Sequence, residues 1–177
     1  MEKRLRIIVC GVGFGQFYIR AIDKIKCKYK LVGILSRGSE WSKQWTKKYG
    51  VILYTDIDEI TKENVDVVCV VIKSTVVNGE GSTIVHSLLE KGINVIQEHP
   101  IDIDDYIMCI KIAQKNCCMY RLNTFYPQLS NVKQFIFLAG KLREKNDVQY
   151  INAECSVHVL FPLIDILGRA IGGVRPW

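Results

Sequence analysis

The sequence predicts an α/β protein built on a doubly wound parallel sheet, followed by the beginning of a second α+β domain. Two observations carry this. Apolar runs alternate with amphipathic helical patterns from the start of the chain, and strands separated by helices of about ten residues or more imply βαβ units. The runs are also continuously apolar, as strands are when helices cover both faces of a sheet.

Taken in order, strands are expected at Leu5–Cys10, Tyr29–Leu35, Val65–Ile72, Asn94–Gln97 and Met119–Thr124. Helices are expected between them at Gly15–Ile25, Glu40–Tyr49, Gly81–Lys91 and Ile103–Asn116. Pro127 follows the last strand, and Ser130–Glu144 again has a helical pattern. Val148–Val157 alternates less cleanly and is read as the possible opening of a second sheet; Phe161–Ile171 is a short apolar helix. The predicted domains are 1–126, binding a dinucleotide, and 127–177, the start of an incomplete substrate domain. The ending Gly172-Gly173-Val174-Arg175-Pro176-Trp177 is expected to fall inside that second domain.

Composition narrows the class. The chain has 177 residues, 49% of them hydrophobic and 24% charged. That supports a sizeable core and excludes a disordered chain. With no apolar run near the roughly eighteen residues a membrane span needs, no membrane association is expected. Lys3-Arg4-Leu5-Arg6 precedes an apolar run that soon meets Gly11 and Gly13. This is a poor secretory signal and a good first strand.

The net charge of +6 is lopsided: residues 1–48 hold twelve Lys and Arg against Glu2, Asp23 and Glu40. A solvated basic face, a phosphate-bearing ligand or an acidic partner protein would each account for it. Nucleic acid is not expected, because the basic residues are scattered and not interleaved with aromatics. The seven cysteines lack CxxC spacing, so buried reduced thiols and a cytoplasmic location are expected. The three scattered histidines show no ligand spacing, and no metal site is expected.

Four stretches carry chemistry. Cys10-Gly11-Val12-Gly13-Phe14-Gly15-Gln16 joins the first strand to the first helix. Gly11 permits a tight turn, and Gly13 lets backbone approach a pyrophosphate at the helix N-terminus. The usual GxGxxG pattern is shifted: the third glycine, Gly15, comes one residue early, and Gln16 occupies its place. In this strand–helix context the motif reads as a Rossmann-type dinucleotide site that includes Phe14.

The second strand ends in Ser36-Arg37-Gly38-Ser39. An NAD enzyme usually places a carboxylate here for the ribose 2′-hydroxyl. An arginine among hydroxyls suits a 2′-phosphate instead, so NADPH is favoured over NADH. The third stretch, Val71-Ile72-Lys73-Ser74-Thr75, leaves a strand where loops often line the cofactor, and Lys73 and Ser74 are candidates for contact.

The fourth is a pair of strand exits, Gln97-Glu98-His99-Pro100 and Asn123-Thr124-Phe125-Tyr126-Pro127. Ligands in open parallel sheets bind beyond the carboxyl ends of the strands. Glu98, His99, Asn123 and Tyr126 are therefore expected to converge, with Glu98, His99 and Asn123 near the cofactor. Imidazole and phenol are both competent proton donors.

With these pieces placed, the chain resembles the Gfo/Idh/MocA oxidoreductases, which join a nucleotide-binding domain to an open-sheet substrate domain. Their fifth strand ends in Glu-Lys-Pro, with a catalytic lysine; here it reads Glu98-His99-Pro100. Their later helix carries His-x-x-Asp with a glycine seven residues on. Asp165 and Gly172 keep that spacing, but Pro162 stands in place of the histidine. Both groups that oxidise sugar alcohols in that family are thus replaced.

A narrower resemblance accommodates the replacements. The segments CGVGFGQFY, GILSRGSE, NVIQEHP, YRLNTFYP and PLIDILGRAIGGVRPW are similar to those of the thiazolinyl imine reductases of siderophore assembly lines. That resemblance implies NADPH-dependent reduction of a thiazoline C=N to a thiazolidine, on an intermediate tethered to a carrier protein of a nonribosomal peptide or polyketide synthase. It also implies a protein about twice this long. His99 and Tyr126 are then the candidate acids, since an imine nitrogen must gain a proton. Two alternatives remain: another NAD(P)-dependent dehydrogenase of the wider family, or a nucleotide-binding fragment without catalysis. A second polypeptide supplying the remainder would restore the enzyme reading, so the expected protein partners are a complementing C-terminal fragment or a second copy in a homo-oligomer.

Overall fold

The structure is a computed structural model that describes residues 3–72 and 79–173. It divides into two compact units, Met1–Asn123 and Thr124–Trp177.

The first unit is a six-stranded parallel sheet. Its strands are β1 (Leu5–Cys10), β2 (Tyr29–Leu35), β3 (Ile52–Tyr54), β4 (Val67–Val70), β5 (Asn94–Glu98) and β6 (Tyr120–Asn123). Helices α1 (Gly15–Lys24), α2 (Glu40–Tyr49), α3 (Glu80–Glu90) and α4 (Ile103–Lys115) connect them. The strand order is β3-β2-β1-β4-β5-β6. The order reverses between β1 and β4, which opens a crevice at their carboxyl ends.

The continuous apolar strands are explained by two cores, one on each face. Ile8 and Cys10 point to one side, where they pack with Val68, Val70, Val85, Leu88 and Leu89. Ile7 and Val9 point to the other, where they meet Ile19 and Ile22 of α1, Ile34 of β2 and Trp45 of α2. Successive strand residues face opposite sides, so each strand must be apolar at every position to serve both cores.

Local signals set the helix ends. Ser39 caps α2, its hydroxyl accepting from the Ser42 amide at 3.2 Å, and Gly50 ends the helix in the left-handed conformation at φ 62°. Asp102 caps α4 by accepting from the Asp104 amide at 2.9 Å. Each cap satisfies backbone donors that have no partner within the helix.

The structure corrects the predicted elements at three places. Strand β3 was not expected: Ile52-Leu53-Tyr54 is too short to show a period, and it is a strand because Gly33, Ile34 and Leu35 pair with it. The Val65–Ile72 strand shortens to Val67–Val70, although Val65 and Val71 are buried at its ends. Burial, not pairing, makes those flanks apolar. Val148–Val157 forms no strand; residues 147–156 are irregular and exposed. Backbone groups of a strand need a neighbour to pair with, and the described residues of the second unit contain no strand.

The second unit instead holds α5 (Ser130–Arg143) and α6 (Leu160–Ile171). Arg143 reaches the α6 carbonyl of Ala170 at 3.5 Å. Asp165 accepts from Arg169 at 2.8 Å and from the Thr124 hydroxyl. Pro162 is buried in the first turn of α6, where an amide hydrogen would have no helical partner anyway.

The thiols also depart from expectation. Cys10, Cys69 and Cys109 are buried, but Cys27, Cys117 and Cys155 are exposed. Cys117 lies just past α4 with φ 52°, while the next residue, Cys118, is partly buried against the core. Burial pushes the Cys10 and Cys69 thiols up to about 12, leaving them protonated and unreactive at neutral pH.

Candidate functional site at the carboxyl edge of the sheet

The glycine turn lies where the strand order reverses. Gly11 has φ 87°, and a Cβ there would meet the Val71 carbonyl oxygen and an Ile72 methylene, both at 3.1 Å. This position thus requires glycine on two counts. Gly13 is exposed, and a Cβ built on it meets nothing within 4 Å, so the space over its backbone is open to a ligand. Gly15 is buried, and a Cβ there would lie 3.0 Å from Val9. It lets α1 pack closely on β1, the function the third glycine serves in the ordinary spacing. Gln16 donates from Nε2 to the Gly13 carbonyl at 3.0 Å and braces the turn.

Helix α1 has Phe14 at its cap position, no side-chain cap and no acidic residue in its first turn. Its amide donors therefore face the open turn without a competing carboxylate. That fits a pyrophosphate.

The β2 exit divides its labour. Gly38 turns the chain at φ 80° and donates its amide to the Ser36 hydroxyl at 3.2 Å. Ser39 is occupied as the α2 cap. Arg37 is exposed and ion-paired with Glu80, the first residue of α3. Lys73 and Ser74 lie outside the described residues.

At the β5 and β6 exits the structure brings Glu98, His99 and Asn123 together. Glu98 and Asn123 are register partners, and the His99 amide donates to the Asn123 carbonyl at 3.1 Å. The His99 side chain is only 13% exposed, with Nε2 3.4 Å from Glu98 Oε1. The His99–Pro100 peptide is cis. Asn123 Nδ2 donates to Glu98 Oε2 at 3.1 Å. Tyr126 opens a 3-10 turn in the second unit, its ring edge-on to Phe125 with centroids 5.7 Å apart.

Sequence reasoning missed Tyr18. Its hydroxyl, carried on the first turns of α1, donates to Glu98 Oε2 and accepts from Asn123 Nδ2. One signal was available: a tyrosine three residues beyond buried Gly15 lies on the helix face that packs against the sheet. Burial raises the Glu98 carboxyl, while the Tyr18 and Asn123 hydrogen bonds draw it back down. Burial, and then the neighbouring Glu98, push the Tyr18 phenol well above its ordinary range.

A nucleotide cradle beside a strand-end carboxylate and imidazole is the arrangement of a nicotinamide-dependent oxidoreductase, and comparison with known proteins agrees. A profile described as "Oxidoreductase family, NAD-binding Rossmann fold" matches residues 5–124. The chain belongs to the Gfo/Idh/MocA family. Among curated proteins, none matches it by sequence.

Solved structures of similar fold include scyllo-inositol dehydrogenase from Lactobacillus casei with bound NAD(H) and scyllo-inositol. It is 18% identical, with a TM-score of 0.77 over 96% of this chain and 57% of that one. The WlbA dehydrogenase from Bordetella pertussis, solved with NADH and UDP-GlcNAcA, is 16% identical, with a TM-score of 0.70 over 80% and 41%. A 3-ketoreductase from Actinomadura kijaniata, solved with TDP-benzene and NADP, is 17% identical, with a TM-score of 0.67 over 80% and 44%. At these identities the likeness is one of fold alone. This chain of the Gfo/Idh/MocA family spans about half the length of these structures or less. Among its described residues, no helix is long and apolar enough to cross a membrane.

Proposed function

We propose that the chain is the NADPH-binding portion of an imine reductase. It would reduce the C=N bond of a thiazoline, tethered to a carrier protein in siderophore assembly, to a thiazolidine. The observation that carries this reading is His99. It stands where the wider family's Glu-Lys-Pro has lysine, and it lies against the Glu98 carboxylate at the strand end. Oxidation of a hydroxyl calls for a base; reduction of an imine calls for an acid. An imidazole with an ordinary value near 6.5 can supply a proton at neutral pH.

NADPH, when bound, supplies the hydride to the imine carbon. Gly11, Gly13 and the open N-terminus of α1 would hold its pyrophosphate. Arg37, with Ser36, would meet the 2′-phosphate after leaving Glu80. His99 would hold the proton destined for the imine nitrogen; for Tyr126 the resemblance alone implies a second donor or the anchor of a water.

The experiment is NADPH oxidation with a thiazoline thioester mimic, run with this chain alone and with the remainder of the protein supplied. Turnover that needs the thiazoline supports the proposal. A second reading, a dehydrogenase of small polyols or sugars, is favoured by the Arg37–Glu80 pair, which leaves a carboxylate near the ribose end. NAD-linked oxidation of such an alcohol, without thiazoline reduction, would decide for it.

A further inference from the structure

Three elements converge on one carboxylate. Tyr18 comes from α1, Glu98 from β5 and Asn123 from β6. Both donors, the Tyr18 hydroxyl and the Asn123 amide, are directed to the same oxygen, Oε2. The Asn123 amide also donates to the Tyr18 oxygen, so the three groups brace one another. The other oxygen, Oε1, is buried and accepts no hydrogen bond. Its residue is only 7% exposed. It lies 3.4 Å from His99 Nε2.

A buried carboxylate oxygen without a donor is costly. The adjacent imidazole can relieve that cost by presenting a proton on Nε2. We infer that Tyr18 and Glu98 are positioning residues that hold His99 in its proton-bearing form, an inference that rests on the reading of His99 as the acid. Tyr18 fixes the carboxylate by occupying Oε2, so that Oε1 is kept for the imidazole. Glu98 then favours the imidazolium as an opposite charge favours any cation beside it.

The direction of the Tyr18 hydrogen bond is secure across the working pH range, because burial keeps the phenol protonated. Among the described residues, these groups bear on the Glu98 carboxylate and its neighbours. Tyr18 comes from α1, His99 lies beside Glu98, Asn123 is uncharged, and Cys69 of β4, kept protonated by burial, carries no charge at neutral pH. Among the described residues, the ion-pair partner of Glu98 is His99.

The test is an NMR titration of histidine-labelled chain, needing neither substrate nor NADPH. The sequence has three histidines, and the His99 signal is assigned by its loss in His99→Ala. We expect Glu98→Gln to lower the proton affinity of His99 about tenfold, and Tyr18→Phe by a smaller factor, about threefold. Unfolding midpoints are measured in parallel, since a purely structural role would move those and leave the titration unchanged. Unchanged titration in both variants overturns the inference. So does an unmodified chain in which His99 binds its proton less tightly than a free histidine, a result that requires no variant to fold. If the coupling is present but no thiazoline is reduced, the positioning stands and the imine reductase reading fails instead.

Discussion

Arg37, at the exit of β2, is ion-paired with Glu80 at the start of α3. Both side chains are largely exposed, so the pair adds little to stability. Under the proposed reading its consequence is for recognition: breaking so exposed a pair costs little, and a 2′-phosphate would gain charge-assisted hydrogen bonds from Arg37, whereas a 2′-hydroxyl could only donate to Glu80. We expect NADPH to bind more tightly than NADH. Arg37→Ala should remove most of the preference, roughly 1.5–3 kcal/mol or about ten- to a hundredfold. Glu80→Gln should raise NADPH affinity by releasing Arg37. Fluorescence titration of both nucleotides checks this; equal affinities in the unmodified chain would refute it.

Under the proposed imine reduction, His99→Ala should lower turnover by roughly 10²–10⁴ if it is the obligatory acid, with little effect on NADPH affinity. Tyr126→Phe should cost less if that residue only orients a water. The pH–rate profiles of the unmodified protein and of His99→Ala decide. If His99→Ala keeps near-normal turnover and the same fall toward high pH, the proton comes from solvent or from the substrate.

The β1 start depends on a charge pair with a defined pH window. Asp66 accepts from the Arg6 amide at 2.7 Å and from the Arg6 guanidinium at 3.1 Å and 2.8 Å. The guanidinium holds the Asp66 carboxyl down to about 2. Because the folded-state value is depressed, its stabilisation is complete above the ordinary value, about 3.9. It is lost as pH falls from there toward about 2. Asp66→Asn should therefore cost about 1–3 kcal/mol at neutral pH and flatten the acid dependence of unfolding in that window. Urea unfolding across the acid range checks it; an unchanged slope in the variant would count against the pair.

The second unit should self-associate. Phe135, Leu138 and Leu142 recur at helical spacing on α5 and are 48%, 50% and 66% exposed. An apolar stripe of this kind favours association in water. Sedimentation should show species larger than a monomer, and Leu138→Lys should shift the distribution toward monomer. A clean monomer that binds no hydrophobic dye would contradict the expectation.

The sequence by itself determined the first unit. Alternating apolar runs and helical patterns located five of its six strands and all four of its helices, because strands buried on both faces must be apolar throughout. It also marked the glycine turn, since Gly11 occupies a backbone conformation and a clearance that only glycine meets. The rest required contacts between residues far apart in the chain. Strand β3 exists because β2 offers a free edge, and three residues carry no period that reveals it. The Val148–Val157 alternation formed no strand because a pattern supplies no pairing partner. Tyr18 and Glu98 are eighty positions apart; nothing local in either segment announces that α1 and β5 bring a phenol onto a carboxylate. Likewise Arg37 was legible as a cation beside a turn, but its engagement by Glu80 depends on where α3 begins. Periodicity and backbone chemistry are local, whereas a hydrogen bond or ion pair depends on which elements the fold places side by side.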